Sequence, residues 1–142
     1  MPYREKTAWL SLIAMALTFG PYFAIVAQWG PVHGDVVANL GQLGLYAKAA
    51  LSQVVLLGLG HLILRRGSPE EARTPPDERD LAIMRRSTTF AYYVLIAGVI
   101  QVGVIMPFLF TGWAIVNAAL CMIVAAEIVR YAVVVASYRR QT

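Results

Sequence analysis

Charged positions divide the chain into long apolar stretches. No charge falls within the 28 residues from Thr7 to Gly34, the 16 between Lys48 and Arg65, or the 40 between Arg86 and Glu127. Charge is expensive in hydrocarbon, so such runs read as membrane spans and their flanking charges as span ends. As a single helix the last run would extend roughly 60 Å, about twice the hydrocarbon thickness, so it must turn. Pro107 and Thr111-Gly112-Trp113 mark the turn, because Pro and Gly interrupt helices and Trp favours the interface. The pattern predicts spans near 8–29, 43–64, 88–110 and 113–137, with a loop over 65–87. The expected fold class is therefore all-α: an integral membrane four-helix bundle of two helical hairpins, forming a single transmembrane domain with both termini on one side.

Composition agrees with this reading. The 142 residues are 58% hydrophobic and 14% charged, and mean hydropathy is +0.61, whereas a soluble domain is typically about 25% charged. Disorder, a disulfide scaffold and a soluble nucleic-acid binder are excluded on that basis. A pI near 9.5 can signal nucleic acid, but the basic residues cluster at span ends, so the bilayer is the expected partner and nucleic acid is not. Arg4, Lys6, Arg65, Arg66, Arg73, Arg79, Arg85, Arg86, Arg130, Arg139 and Arg140 fall on or near one side, against Lys48 opposite. The positive-inside rule makes that side cytoplasmic, which places both termini inside. Trp29, Tyr46 and Trp113 mark the outer interface; Trp9, Tyr92, Tyr93, Tyr131 and Tyr138 mark the inner one. The first apolar run exceeds a signal-peptide core and lacks a convincing A-x-A cleavage site, so the segment is expected to be retained.

Polar residues at membrane depth are the first functional candidates, because each is costly there. Gln53 lies near the middle of the second span, Gln101 in the third, and Asn117, Glu127 and Arg130 in the fourth. Glu127 supports two readings: a proton or cation site facing water, or a carboxylate near the headgroups paired with Arg130 one turn on. Gly20-Pro21 predicts a kink in the first span. Ala114, Ala118, Cys121 and Ala125, continued by Ala132 and Ala136, form a small-residue stripe suited to close packing within the chain or between copies. Cys121 is the sole cysteine, so no internal disulfide or C-x-x-C site can form. His61 and His33 lie near opposite faces, and no nucleophile with its base, Walker loop or dinucleotide fingerprint is present. No catalytic residue, metal site or cofactor is implied, and the chain is not expected to be an enzyme. The outer loop from Gly30-Pro31-Val32-His33-Gly34-Asp35 to Asn39 reads as a turn with a short interfacial segment.

The cytoplasmic loop carries the most distinctive segment. Pro75-Pro76 holds the chain extended, Asp77 is placed to cap a helix and Asp80 to complete a capping box. A helix from Glu78 to Phe110 would extend roughly 50 Å and begin well outside the membrane. Asp77, Glu78 and Asp80 either satisfy that helix start or serve a cation or basic partner. The run Pro75-Pro76-Asp77-Glu78-Arg79-Asp80-Leu81-Ala82-Ile83, followed by Phe90-Ala91-Tyr92-Tyr93, resembles a D-E-R-D-x-x-I signature before the third span of uncharacterised bacterial four-span membrane proteins. The resemblance implies a bacterial inner-membrane location and a sensory or regulatory role, and singles out Asp77, Glu78, Arg79 and Asp80 as an interaction motif.

Three function classes follow. The first is a non-enzymatic protein acting by association, as a homo-oligomer or with a cytosolic or membrane protein partner. The second is a small transporter or efflux subunit with Glu127 as its ionisable site. The third is a membrane enzyme, for which no catalytic constellation appears.

Overall fold

The computed structural model describes residues 2–29 and 36–140, with side chains omitted at 36–39. The outer-loop turn and His33 lie outside the described residues. Within them the chain is helical, with no strand: α1 (Tyr3–Trp29), α2 (Val36–Gly67), a one-turn α3 (Pro69–Arg73), α4 (Glu78–Ile100) and α5 (Trp113–Arg139). Four helices are long and apolar enough to cross a bilayer, covering Tyr3–Trp29, Leu40–Gly67, Glu78–Phe108 and Trp113–Arg139. The chain is an all-α integral membrane protein with four spans, as its charge spacing predicts.

The order across the bundle is α2, α1, α5, α4, set by the broad packings of α2 on α1, α1 on α5, and α5 on α4. The sequential hairpins α1/α2 and α4/α5 therefore meet through α1 and α5. Of the four spans α1 is the most enclosed, 28% buried against 11% for each of the others, although α5 too has a broad neighbour in each hairpin. Its inward face is Glu5, Ala8, Ser11, Ala14, Met15, Thr18 and Tyr22, a stripe at three- and four-residue spacing made mostly of small or polar side chains. Small residues let helices approach closely in lipid, where packing rather than hydrophobicity drives association.

Two glycines mark the closest approaches. A Cβ at Gly60 on α2 would stand 2.5 Å from a Leu10 methyl, and one at Gly98 on α4 would stand 2.7 Å from both Cβ and Cγ of Met122 on α5. The consequences differ, because a leucine methyl can swing aside while Met122 Cβ is fixed to the α5 backbone. Gly98→Ala is expected to destabilise by about 1–3 kcal/mol as the helices are forced apart. Gly60→Ala is expected to stay within about 1 kcal/mol of the native protein, repacking being offset by better helix propensity. Thermal unfolding of both variants in one detergent checks the order, and an equal or reversed effect would refute it.

The third span departs from the expected single α-helix to Phe110. The α-helix ends at Ile100, Gln101–Ile105 forms a π-turn, and Met106–Phe108 forms a 3-10 turn. Pro107 has no N–H to return to the carbonyl four residues earlier, and a wider then tighter turn accommodates that lost bond. Pro21 acts differently, since α1 runs unbroken through it. Gly112 reverses the chain with φ of 59°, in the left-handed region where glycine is favoured.

Candidate functional site

Two polar clusters organise the bundle, one at the end bearing both termini and one toward the opposite end. The terminal cluster begins with local chemistry. Asp77 is extended at the N-cap, its Oδ1 accepts the Asp80 N–H at 2.7 Å, and Asp80 Oδ2 accepts the Asp77 N–H at 3.4 Å, completing the capping box. This fixes the Asp80 carboxylate at the base of α4. There it pairs with Arg4 Nε of α1 at 2.9 Å and accepts a short hydrogen bond from the Tyr138 hydroxyl of α5. One carboxylate thus joins three spans.

Neighbouring pairs tie in the rest of that end. Arg139 Nε lies 3.5 Å from buried Glu5 Oε1 and its guanidinium stands 5.2 Å above the Trp9 ring. Lys6 reaches Ser68 Oγ at 3.3 Å and Glu71 Oε2 at 3.9 Å, and Arg4 donates to the Thr74 carbonyl at 3.4 Å. The loop after α2 is therefore held by the first turn of α1. Of the predicted interaction motif, Asp77 and Asp80 are engaged within the chain, whereas Glu78 and Arg79 are exposed. The Arg79 guanidinium lies 5.8 Å from the Tyr138 ring centroid.

Toward the other end, Tyr22 of α1 donates to Asn117 Oδ1 of α5 at 2.6 Å, and Asn117 Nδ2 donates to Gln42 Oε1 of α2 at 3.1 Å. Tyr22 and Gln42 are each 1% exposed, and Asn117 between them is half-buried. Tyr46 packs edge-on against Tyr22, with ring centroids 6.1 Å apart. One turn deeper, the Thr18 hydroxyl is shared between the Ala14 carbonyl at 2.9 Å and Gln53 Oε1 at 2.7 Å. Gln53 and Asn117 are thus interhelical fasteners, a role that removes the cost of leaving an amide in hydrocarbon.

The remaining polar candidates are not brought into either cluster. Gln101 begins the π-turn and its side chain is exposed. Glu127 pairs with Arg130 one turn away, Oε2 to NH1 at 3.4 Å, with side chains 41% and 40% exposed. Arg130 also stands 5.5 Å over the Tyr131 ring. His61 Nδ1 is 2.7 Å from the Leu57 carbonyl of its own helix. Along the small-residue stripe, Ala114, Ala118 and Ala125 are half-buried and Cys121 is exposed, so the stripe runs along an edge of the helix packing. A half-exposed pair of this kind is worth at most about 1 kcal/mol. Glu127→Gln is accordingly expected to leave the unfolding midpoint in detergent unchanged within about 2 °C; a larger fall would give Glu127 a role beyond its pair.

Sequence reasoning did not single out Glu5, Thr18, Tyr22 or Gln42, nor the contacts of Arg4 and Tyr138. A signal was present. Thr18 and Tyr22 are one turn apart, and Gln42 and Gln53 are three turns apart, so each pair shares a face. Comparison with protein-family models, with curated proteins and with solved structures found no match to this chain.

Proposed function

We propose that this protein acts by association in the membrane, without catalysis, as a homodimeric sensory or accessory subunit whose cytoplasmic rim contacts a protein partner. The observation that carries the reading is Gln101. Every other amide singled out at membrane depth has an interhelical partner, Gln53 through Thr18 and Asn117 through Tyr22 and Gln42, while the Gln101 side chain faces outward from the third span. It lies ten residues before Thr111, within the third span. An amide both donates and accepts, so two copies related by a two-fold axis would satisfy each other across the third spans. The adjoining π-turn supports the same place, since such turns concentrate at functional positions.

The resemblance of the Asp77–Ile83 run to four-span bacterial proteins supports an inner-membrane location with both termini in the cytoplasm, and a regulatory role. Asp77 and Asp80 then build the rim, and Glu78 and Arg79 meet the partner. The transporter reading has weaker support, because Glu127 is paired on its own helix and half exposed.

Cysteine cross-linking in native membranes tests the proposal. Gln101→Cys in a Cys121→Ala background is expected to give a covalent dimer, and Gln101→Leu to reduce the dimer fraction measured by energy transfer between labelled copies in a bilayer. Mass spectrometry of chemically cross-linked membranes is expected to recover a partner that Glu78→Gln and Arg79→Gln together release. Monomers under both dimer assays would overturn the homodimer, and an interactome unchanged by the double variant would overturn the partner surface.

A further inference from the structure

Between the outer faces of α4 and α5, at the end bearing the termini, lies a groove of about 340 Å³. That is within the size range of small-molecule sites, about 300–1,000 Å³. Arg79 and Arg86 of α4 and Arg140, which caps the end of α5, line it, over walls that include Ile83, Phe90 and Val133. No carboxylate lies within ion-pairing distance of these three arginines among the described residues. Asp80, in the same first turn of α4 as Arg79, is turned to Arg4 and Tyr138. Arg79 and Arg86 each stand 5.8 Å from an aromatic ring, Tyr138 and Phe90 respectively, which braces the guanidinium plane while leaving its N–H groups available.

Depth gives the site its polarity. Arg79 and Arg140 are outermost, Arg86 is roughly 10 Å further in along α4, and Phe90 about 6 Å beyond that. Fixed positive charge therefore grades into an apolar wall along one groove open to the bilayer. Arginine matches phosphate geometrically through paired N–H donors, and anionic headgroups are drawn to basic residues at this level. We propose that the groove binds an anionic phospholipid, its phosphate held by Arg79, Arg86 and Arg140 and one acyl chain lying along Ile83, Phe90 and Val133. A soluble phosphorylated compound would share the headgroup chemistry but leave the apolar wall uncovered, so the lipid is the better fit.

The test titrates the purified full-length protein with phosphatidylglycerol or phosphatidylcholine and counts bound lipid by native mass spectrometry. Phosphatidylglycerol is expected to bind preferentially. The triple change Arg79→Gln, Arg86→Gln, Arg140→Gln is expected to weaken it about tenfold or more. Arg65→Gln, Arg66→Gln, Arg73→Gln removes the same charge from the end of α2 and from α3, away from the braced Arg79 and Arg86, and is expected to cost distinctly less. Ser137→Glu, which places a carboxylate in the groove wall and keeps all arginines, provides the same loss should the first triple variant fold poorly. Millimolar inorganic phosphate is expected not to displace the lipid. Equal loss in both triple variants, binding without headgroup preference, or displacement by phosphate would each overturn the proposal, the last in favour of a soluble anion.

Discussion

Asp80→Ala is expected to destabilise the protein more than any other single change at the terminal end. The substitution removes the acceptor for Tyr138, the counter-ion of Arg4 and the second half of the capping box together. Tyr138 is 6% exposed, so its hydroxyl would be left facing an apolar gap, while Arg4 can turn toward solvent. A hydrogen bond lost with its partner left buried costs about 1–3 kcal/mol, and a partly exposed ion pair adds at most about 1 kcal/mol. The total of about 1–4 kcal/mol corresponds to a fall of roughly 3–16 °C in the unfolding midpoint. Asp80→Asn keeps the shape and an acceptor oxygen but loses the charge, so about a third of that effect is expected. Circular dichroism melts in one detergent check both; an Asp80→Ala midpoint within about 2 °C of native would refute the assignment of Asp80 as the joint of three spans.

The second large effect belongs to the opposite cluster. Asn117→Leu would break the bonds from Tyr22 and to Gln42 at once, leaving two side chains with 1% exposure unpaired. Hydrogen bonds between spans average about 0.6 kcal/mol and reach about 1.7, so the double loss is expected at about 1–3 kcal/mol. Tyr22→Phe removes only the first bond and should cost about half as much. Unfolding in mixed micelles of rising denaturing-detergent fraction measures the order. Equal stability of Asn117→Leu and the native protein would mean that packing alone aligns α1, α2 and α5.

Both predictions turn on contacts that were invisible along the chain, for a physical reason. Charge spacing located the spans because the bilayer's penalty for charge acts on each residue separately. The Asp77 cap was legible for a similar reason, since its partner Asp80 is three residues on. The choice of inward face was not legible. Helices apolar all round present no distinguishing stripe, and Ala118 on α5 looks as suitable for packing as Ala91 on α4, yet Ala91 is buried and Ala118 half-buried. Arg4, Asp80 and Tyr138 come from three different spans, and each alone reads as an interfacial charge, cap or aromatic anchor. The π-turn at Gln101 follows from Pro107, but a proline announces a lost hydrogen bond rather than the way the backbone absorbs it.

The meeting of the hairpins through α1 and α5 has a consequence for biosynthesis. Synthesis delivers α1 before α5, so α1 must sit in the membrane while the intervening helices are still being made. Its inward face holds Glu5 and Tyr22, whose partners Arg139 and Asn117 arrive only with α5. Thr18 is served earlier, by Gln53 of α2. Until α5 is made, the α1/α2 pair therefore has one polar seam whose partners are still missing. Truncation before α5 would leave that seam facing lipid, a ready signal by which quality-control proteases could distinguish incomplete chains from complete ones.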